Sequence, residues 1–351
     1  MPKRLALFFD GTWNTPESGT NVWTLHGQVA ARGADGKEQR RYYHTGVGTS
    51  WHGRILGGAF GYGLSENICA GYTWLAQNFV PGDEIFVFGF SRGAYTARSL
   101  VGLVRKCGVL DSPTDALVRA AYELYRERRD TVDGPDATAF RAANSHETRV
   151  RFVGVWDTVG SLGIPVTGLK LAPFRSYYRF HDTSLSKIVD YAYHALAIDE
   201  YREDYAPTLW TETKPENVAV EQRWFIGAHC NVGGGYQDDT LCRIPARWLQ
   251  DRAVAAGLAM DALVPLTGTE WRTEPRNSFK EFMWGLYAAV KGKPYLRHVA
   301  GTVAGWIDET VWRRRRAPGL PDYAPAPLAA IPEGTGSLVT ADAPARERMP
   351  A

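Results

Sequence analysis

Apolar and polar positions along this chain fall into blocks. Short runs of β-branched and aromatic residues end in small or polar ones, and helix-like text follows them. The clearest runs are Leu5-Ala-Leu-Phe-Phe9 before Asp10-Gly11-Thr12, and Glu84-Ile-Phe-Val-Phe88 before Gly89. Two more are Val150-Arg-Phe-Val-Gly-Val-Trp156 before Asp157, and Arg223-Trp-Phe-Ile226 before Gly227-Ala-His229. Runs this short and apolar predict strands buried on both faces. Their alternation with helices predicts an α/β fold with a mostly parallel central sheet and helices on both faces. Ligands bind beyond the carboxyl ends of such strands, so the four junctions are expected to converge on one crevice.

Helical spacing appears where Ala94, Ala97, Val101 and Val104 recur, with Gly108 as the stop. Residues Ile68 to Phe79 also read as a helix, and Asp115 to Arg129 as an amphipathic surface helix. A helix is expected over Ile188 to Ile198 as well. Together with the Pro-, Gly- and aromatic-containing text of residues 158–222 it is assigned to a cap-like insertion over the site. The glycines of Gly46-Val-Gly-Thr49 and Gly57 to Gly63 form neither a Walker A loop nor a complete G-x-G-x-x-G, and are read as turns and close packing. From Ala317 the text turns to Pro, Ala and small polar residues, which bury little surface. The expected organisation is therefore a catalytic domain over 1–316 and a partly disordered extension over 317–351.

Composition narrows the function classes. With 40 basic and 38 acidic residues the net charge is only +2, which gives no electrostatic case for a nucleic-acid partner. The four cysteines form no C-x-x-C pair, so neither a disulfide framework nor a zinc site is expected, and no cofactor is implied. Asp238 and Asp239 are adjacent acids without further recognisable ligands, so no metal is predicted. Met1-Pro-Lys-Arg runs straight into the first strand, unlike a signal peptide, and no stretch approaches the roughly 18 apolar residues that span a bilayer. Synthesis and folding in the cytoplasm are expected, with export by a specialised secretion system left open. The segment Phe279 to Tyr295 sets Phe282, Met283, Trp284, Leu286 and Tyr287 beside Lys280, Lys291 and Lys293. It reads either as a peripheral membrane contact or as a helix packed on the sheet.

The chemistry centres on Gly89-Phe-Ser-Arg-Gly93, a G-x-S-x-G pattern between a strand and a helix. That setting lifts the Ser91 hydroxyl above the sheet on a strained turn and aims a helix N-terminus at a developing oxyanion, as in α/β hydrolases. Serine needs an imidazole to take its proton, and the imidazole needs a carboxylate to fix its tautomer. In the chain order Ser, acid, His, His229 follows a strand and precedes Gly233-Gly-Gly235, and Asp157 ends the strand between them. His194 is the alternative base, expected instead to pack or line the pocket; Asp199 and Glu200 are the alternative acids. The oxyanion donors are expected at Arg92, Gly11 and Thr12, while Asp10, Phe90, His194 and Asp199 are candidates for the substrate pocket.

Several phrases together resemble one family: Phe9-Asp-Gly-Thr-Trp-Asn14, Gly89-Phe-Ser-Arg-Gly-Ala-Tyr-Thr-Ala-Arg98, Gly154-Val-Trp-Asp-Thr-Val159, His194-Ala-Leu-Ala-Ile-Asp-Glu200 and Gly227-Ala-His-Cys-Asn-Val-Gly-Gly-Gly-Tyr236. They are similar to the uncharacterised α/β-hydrolase family related to the catalytic domains of type VI secretion phospholipase effectors. The resemblance covers about residues 3–250, and 308–328 as well. It implies a triad of Ser91, Asp157 and His229, and phospholipid ester cleavage in the secreted members. Cys230-Asn231 depart from the family phrase, which usually has a small or acidic residue after the histidine. The extended membrane-interacting regions of the larger effectors have no evident counterpart.

The expected function is a serine hydrolase of carboxylic esters, with a lipid or phospholipid substrate. A soluble ester, thioester or amide is the alternative substrate, and a non-catalytic binding module of the same fold is the alternative class.

Overall fold

Seven strands hydrogen-bond into one sheet in the order β2-β1-β3-β4-β5-β6-β7: β1 (Arg4–Phe9), β2 (Gln39–His44), β3 (Glu84–Phe90), β4 (Val150–Trp156), β5 (Val189–Ala197), β6 (Ala219–Phe225) and β7 (Gly305–Ile307). Each neighbouring pair is parallel. The computed structural model describes residues 2–46, 59–127, 129–160 and 183–338. The helices are α1 (Asn21–Gln28), α2 (Ala59–Asn78), α3 (Arg92–Cys107), α4 (Asp115–Arg126), α5 (Pro135–Asn144), α6 (His229–Gly233), α7 (Arg243–Ala255), α8 (Ser278–Glu281), α9 (Leu286–Lys291) and α10 (Glu309–Arg315).

Alternate residues of the strands serve two cores. Leu5, Leu7 and Phe9 of β1 meet α2, α3 and α4 on one face, through Leu75, Leu100 and Ala121. Ala6 and Phe8 meet α1 and α7 on the other, through Leu25 and Leu249. With both faces covered the strands lose polar alternation and read as continuous apolar runs. The expected α/β-hydrolase-like fold, a parallel sheet with helices on both faces, is what the chain adopts.

The strand order places a topological switch at β1, whose neighbours β2 and β3 lie on opposite sides and come later in the chain. Loops leaving β1 and β3 diverge there, which opens the crevice where ligands bind in such sheets. Asp10-Gly11-Thr12 and Ser91 are the residues at that switch.

Two expectations change. The helix over Ile188–Ile198 is strand β5, in the middle of the sheet between β4 and β6. A short apolar run buried on both faces carries no period that separates it from a buried helix. The stretch 158–222 therefore contains β5 and the start of β6 and is not one insertion; residues 161–182 of it lie outside the described residues. The extension also packs more than its composition suggests. Tyr323, Leu328 and Ile331 are buried in a third cluster with Trp224, Trp271 and Trp312. A few well-spaced apolar anchors suffice to hold a Pro-rich segment against a core. Residues 339–351 lie outside the described residues, as do Val47 to Thr49 and Gly57 and Gly58 of the glycine-rich stretch.

Candidate active site

The end of β3 turns into α3 through a single residue in an unusual conformation. Ser91 has φ 58° and ψ −122°, outside the regions open to residues bearing a Cβ without strain. The turn also requires glycine at Gly93, because a Cβ there would stand 2.1 Å from the Phe9 carbonyl oxygen and 2.4 Å from that of Asp10. The start of α3 is thereby pressed against the end of β1. Ser91 is held by its own backbone: its N–H donates to the Trp156 carbonyl at 3.0 Å, and its carbonyl accepts from Val159 at 3.3 Å.

Asp157 follows β4 and His229 opens α6 beyond β6. Their side chains meet, His229 Nδ1 to Asp157 Oδ2, at 2.5 Å. The ionised carboxylate only accepts, so Nδ1 carries the proton and Nε2 is left as the acceptor. Asp157 is fully buried, and burial pushes its carboxyl up; Arg297 and His229 outweigh that and hold it below the usual carboxylate range. Burial lowers the His229 pKa, with Asp157 and Glu200 opposing. The Phe90 ring, next to Ser91, lies against the His229 ring with centroids 4.6 Å apart. Ser91, Asp157 and His229 thus leave the carboxyl ends of β3, β4 and β6 on one edge of the sheet.

The β1 loop backs onto the serine. A Cβ on Gly11 would come within 3.2 Å of Ser91 Cβ. The loop is fixed by Asp10, whose Oδ1 accepts from the Gly11 N–H at 2.7 Å and whose Oδ2 accepts from Thr20 Oγ1 at 2.7 Å and the Tyr43 hydroxyl at 2.8 Å. Gly11 therefore spends its N–H on Asp10 rather than holding it out toward Ser91. Thr12 Oγ1 is buried with no hydrogen-bond partner among the described residues. Arg92 is the first residue of α3, where backbone N–H groups point out along the helix axis.

His194 and Asp199 are both buried in hydrogen-bond networks. His194 is fully buried on β5, its Nε2 accepting from the Thr158 N–H at 3.1 Å and its Nδ1 facing Gln222 Oε1 at 3.3 Å. Asp199 Oδ2 accepts from the Gly227 N–H at 2.7 Å and the Tyr323 hydroxyl at 2.8 Å, so it braces the turn before His229. Glu200 reaches the His229 backbone instead, accepting its N–H at 3.2 Å, and is gripped by Arg202 at 2.9 and 2.8 Å and by Ser278 at 2.9 and 2.8 Å.

Sequence reasoning missed Arg297. Its guanidinium lies on Asp157, Nη1 to Oδ1 at 2.5 Å and Nη2 to Oδ2 at 2.9 Å. Nothing in the text around Tyr295-Leu-Arg-His298 marks it, because the pairing spans 140 positions. A cavity of about 870 Å³ opens between α3, α4 and β5, lined by Arg98, Tyr125 and Trp210 among others; Ser91, Asp157 and His229 are not in its lining. Among the described residues no group of three His, Cys, Asp or Glu side chains could hold a metal ion, and no helix is long and apolar enough to cross a membrane. Asp239 accepts from Asn231 Nδ2 at 3.1 Å and from the Leu241 N–H at 2.8 Å.

The family model of the type VI secretion phospholipase effector Tle1-like catalytic domain matches residues 3–252. The match does not include residues 308–328. A Saccharomyces cerevisiae relative, uncharacterized protein YEL023C, is 28% identical over 236 residues, 60% of this chain and 33% of that protein. The chain thus spans about a third of the curated relative it matches. Among solved structures, the Tle1 effector bound to the VgrG spike of the type VI secretion system is 18% identical, with a TM-score of 0.39 over 68% of this chain and 52% of that one. An uncharacterized Pseudomonas aeruginosa protein is 18% identical, with a TM-score of 0.44 over 77% of this chain and 48% of that one. A putative carboxylesterase from Lactobacillus plantarum is 14% identical, with a TM-score of 0.32 over 74% and 87%.

Proposed function

The chain belongs to the Tle1-like catalytic-domain family of type VI secretion phospholipase effectors, and from that premise we propose that it is a serine hydrolase of lipid or phospholipid carboxylic esters. The observation that carries this reading is the Ser91 backbone, φ 58° and ψ −122° at a strand-to-helix junction, a conformation strained for a serine. The Asp157–His229 pair beyond β4 and β6 supplies the matching base.

In the proposed reaction Ser91 Oγ attacks the acyl carbonyl carbon while His229 Nε2 takes its proton, and Asp157 stabilises the imidazolium. The oxyanion forms in front of α3, with the Arg92 backbone N–H and the Thr12 side chain as donors. Thr12 fits this role because its hydroxyl is buried and unpartnered among the described residues. Collapse expels the alcohol, which leaves with the proton from His229, and the acyl group stays on Ser91. Water, deprotonated by His229, then releases the fatty acid and restores the serine.

A lipid substrate is favoured by a patch beside the site. Trp284 is 100% exposed, Val290 73% and Leu286 54%, on a segment whose buried Phe279 and Tyr287 hold it to the domain. Incubation of the purified protein with mixed phospholipid vesicles and short-chain esters, followed by mass spectrometry, tests the reading. Fatty acid and lysophospholipid should appear with the wild type and not with Ser91→Ala. Equal turnover by Ser91→Ala would sink it. Cleavage of short esters alone would move the substrate to a soluble ester, and failure of a fluorophosphonate to label folded wild type would favour a binding module.

A further inference from the structure

An orienting acid needs one partner, and Asp157 has several. Its Oδ2 takes the His229 Nδ1 proton at 2.5 Å and Arg297 Nη2 at 2.9 Å; its Oδ1 takes Arg297 Nη1 at 2.5 Å and the Ala197 N–H at 3.1 Å. Arg297 is itself fixed, donating Nη1 to the Ala197 carbonyl at 2.9 Å and Nη2 to the Tyr205 carbonyl at 2.7 Å. Both side chains of the pair are 0% exposed.

We infer that Arg297 is a positioning residue that locks the Asp157 carboxylate and shares its charge, and so sets how strongly that carboxylate acts on the His229 imidazole. The inference rests on the reading of Ser91, His229 and Asp157 given above. Two physical effects carry it. A planar guanidinium that bonds both oxygens stops the carboxylate from rotating, which fixes the plane of the imidazole bonded to one of them. The same positive charge, in a buried site, cancels part of the field by which a lone buried carboxylate would raise the basicity of its histidine.

The rest of the shell around His229 is balanced in the same way. Glu200, from the end of β5, accepts the His229 backbone N–H at 3.2 Å, and it is paired at 2.9 and 2.8 Å with Arg202. Arg202 lies over the Tyr205 ring at 3.6 Å, and Tyr205 meets His229 edge-on with centroids 5.0 Å apart. The Arg92 charge also acts on Tyr205, and Cys230, next to His229 on α6, is a half-buried thiol whose pKa burial pushes up to about 12. Each carboxylate that faces His229 thus has its own arginine. An imidazole whose facing carboxylates are already paired resists protonation, and burial acts in the same direction.

The test follows the His229 ring by NMR in protein carrying ¹⁵N-labelled histidine, in parallel with the rate at which a fluorophosphonate labels Ser91 as a function of pH. In Arg297→Ala the His229 inflection should rise by about one pH unit, a tenfold gain in proton affinity. The acid limb of the labelling rate should move with it. In Arg297→Lys, which keeps the charge and loses the fork, the inflection should stay near wild type while the plateau labelling rate falls by about tenfold or more. Guanidinium ion added to Arg297→Ala should restore part of both. An unchanged His229 inflection in folded Arg297→Ala overturns the charge sharing, and a wild-type plateau rate in Arg297→Lys overturns the positioning. If Arg297→Ala does not fold, the plateau rate of Arg297→Lys decides. A moved inflection in protein whose wild-type Ser91 takes no label would support the charge sharing and sink the hydrolase reading instead.

Discussion

His194 Nε2 accepts the backbone N–H of Thr158 at 3.1 Å, one residue beyond the carboxylate that holds His229. That bond requires the ring proton on Nδ1, toward Gln222 Oε1. Burial first, and then the nearby Arg98, push the His194 pKa from 6.5 down to about 3. The unfolded chain therefore binds the proton more readily than the folded one between those two values, and stability should fall as pH drops through that window. Thermal melts from pH 7 to pH 4 should show this decline, and His194→Gln, whose Oε1 can take the Thr158 N–H, should flatten it. A variant slope equal to the wild-type slope would count against the assignment.

Ser91 holds a positive φ that glycine adopts without penalty and alanine does not. Ser91→Gly should therefore exceed Ser91→Ala in unfolding free energy by about 1 kcal/mol, the relieved strain less the entropy of a freer unfolded chain. Both should lose ester turnover by about a thousandfold or more. Urea titrations of the two variants give the comparison. An alanine variant as stable as the glycine one would mean that the turn is not strained.

What was legible in the text was whatever is local. The β3 run, the glycines around Ser91 and the α3 spacing sit within twenty residues of one another, and the structure has the strand, turn and helix that they predict. That Asp157 and His229 lie close together is legible because each follows an apolar run that ends at the same edge of a parallel sheet. The β5 segment reads as a helix because burial on both faces removes the alternation that separates strand from helix. Arg297 was invisible because a guanidinium paired across the whole fold leaves no pattern in its neighbours. The packing of Tyr323 and Leu328 was missed for a related reason: composition describes an average, while anchoring needs only a few positions.

Asp157 should be costly to neutralise. Asp157→Asn leaves Arg297 buried without a counter-charge, a change worth about 3 to 5 kcal/mol of stability. The double variant Asp157→Asn/Arg297→Met should recover much of that loss while staying inactive. The wild type carries a pH signature of the same pair. The Asp157 pKa is held below its unfolded value, so its contribution is complete above about pH 4 and is lost as pH falls toward the depressed folded value. Acid unfolding monitored by circular dichroism should be shallower in the double variant. A loss in the double variant equal to the sum of the losses in Asp157→Asn and Arg297→Met alone would show that the pair is not coupled.

Trp284 lies two residues beyond Phe282, whose ring meets Tyr205 with centroids 6.4 Å apart, and Tyr205 meets His229 at 5.0 Å. The segment is anchored by the Tyr287 hydroxyl on Asp204 at 2.7 Å and by the Lys291 ion pair with Asp204 at 3.2 Å, so the exposed rim is fixed relative to the site. A fully exposed tryptophan contributes little to folding, and Trp284→Ser should leave stability within about 0.5 kcal/mol of wild type. At a lipid surface the same ring would bury in the headgroup boundary, aided by Lys280 and Lys293 beside anionic lipid. Trp284→Ser should therefore lose about tenfold in turnover of anionic phospholipid vesicles, while hydrolysis of a short monomeric ester is unchanged. Vesicle flotation of the Ser91→Ala protein, with and without Trp284→Ser, separates binding from turnover. Equal flotation and equal vesicle turnover would remove this segment from the lipid contact and favour a soluble substrate reaching Ser91 by another route.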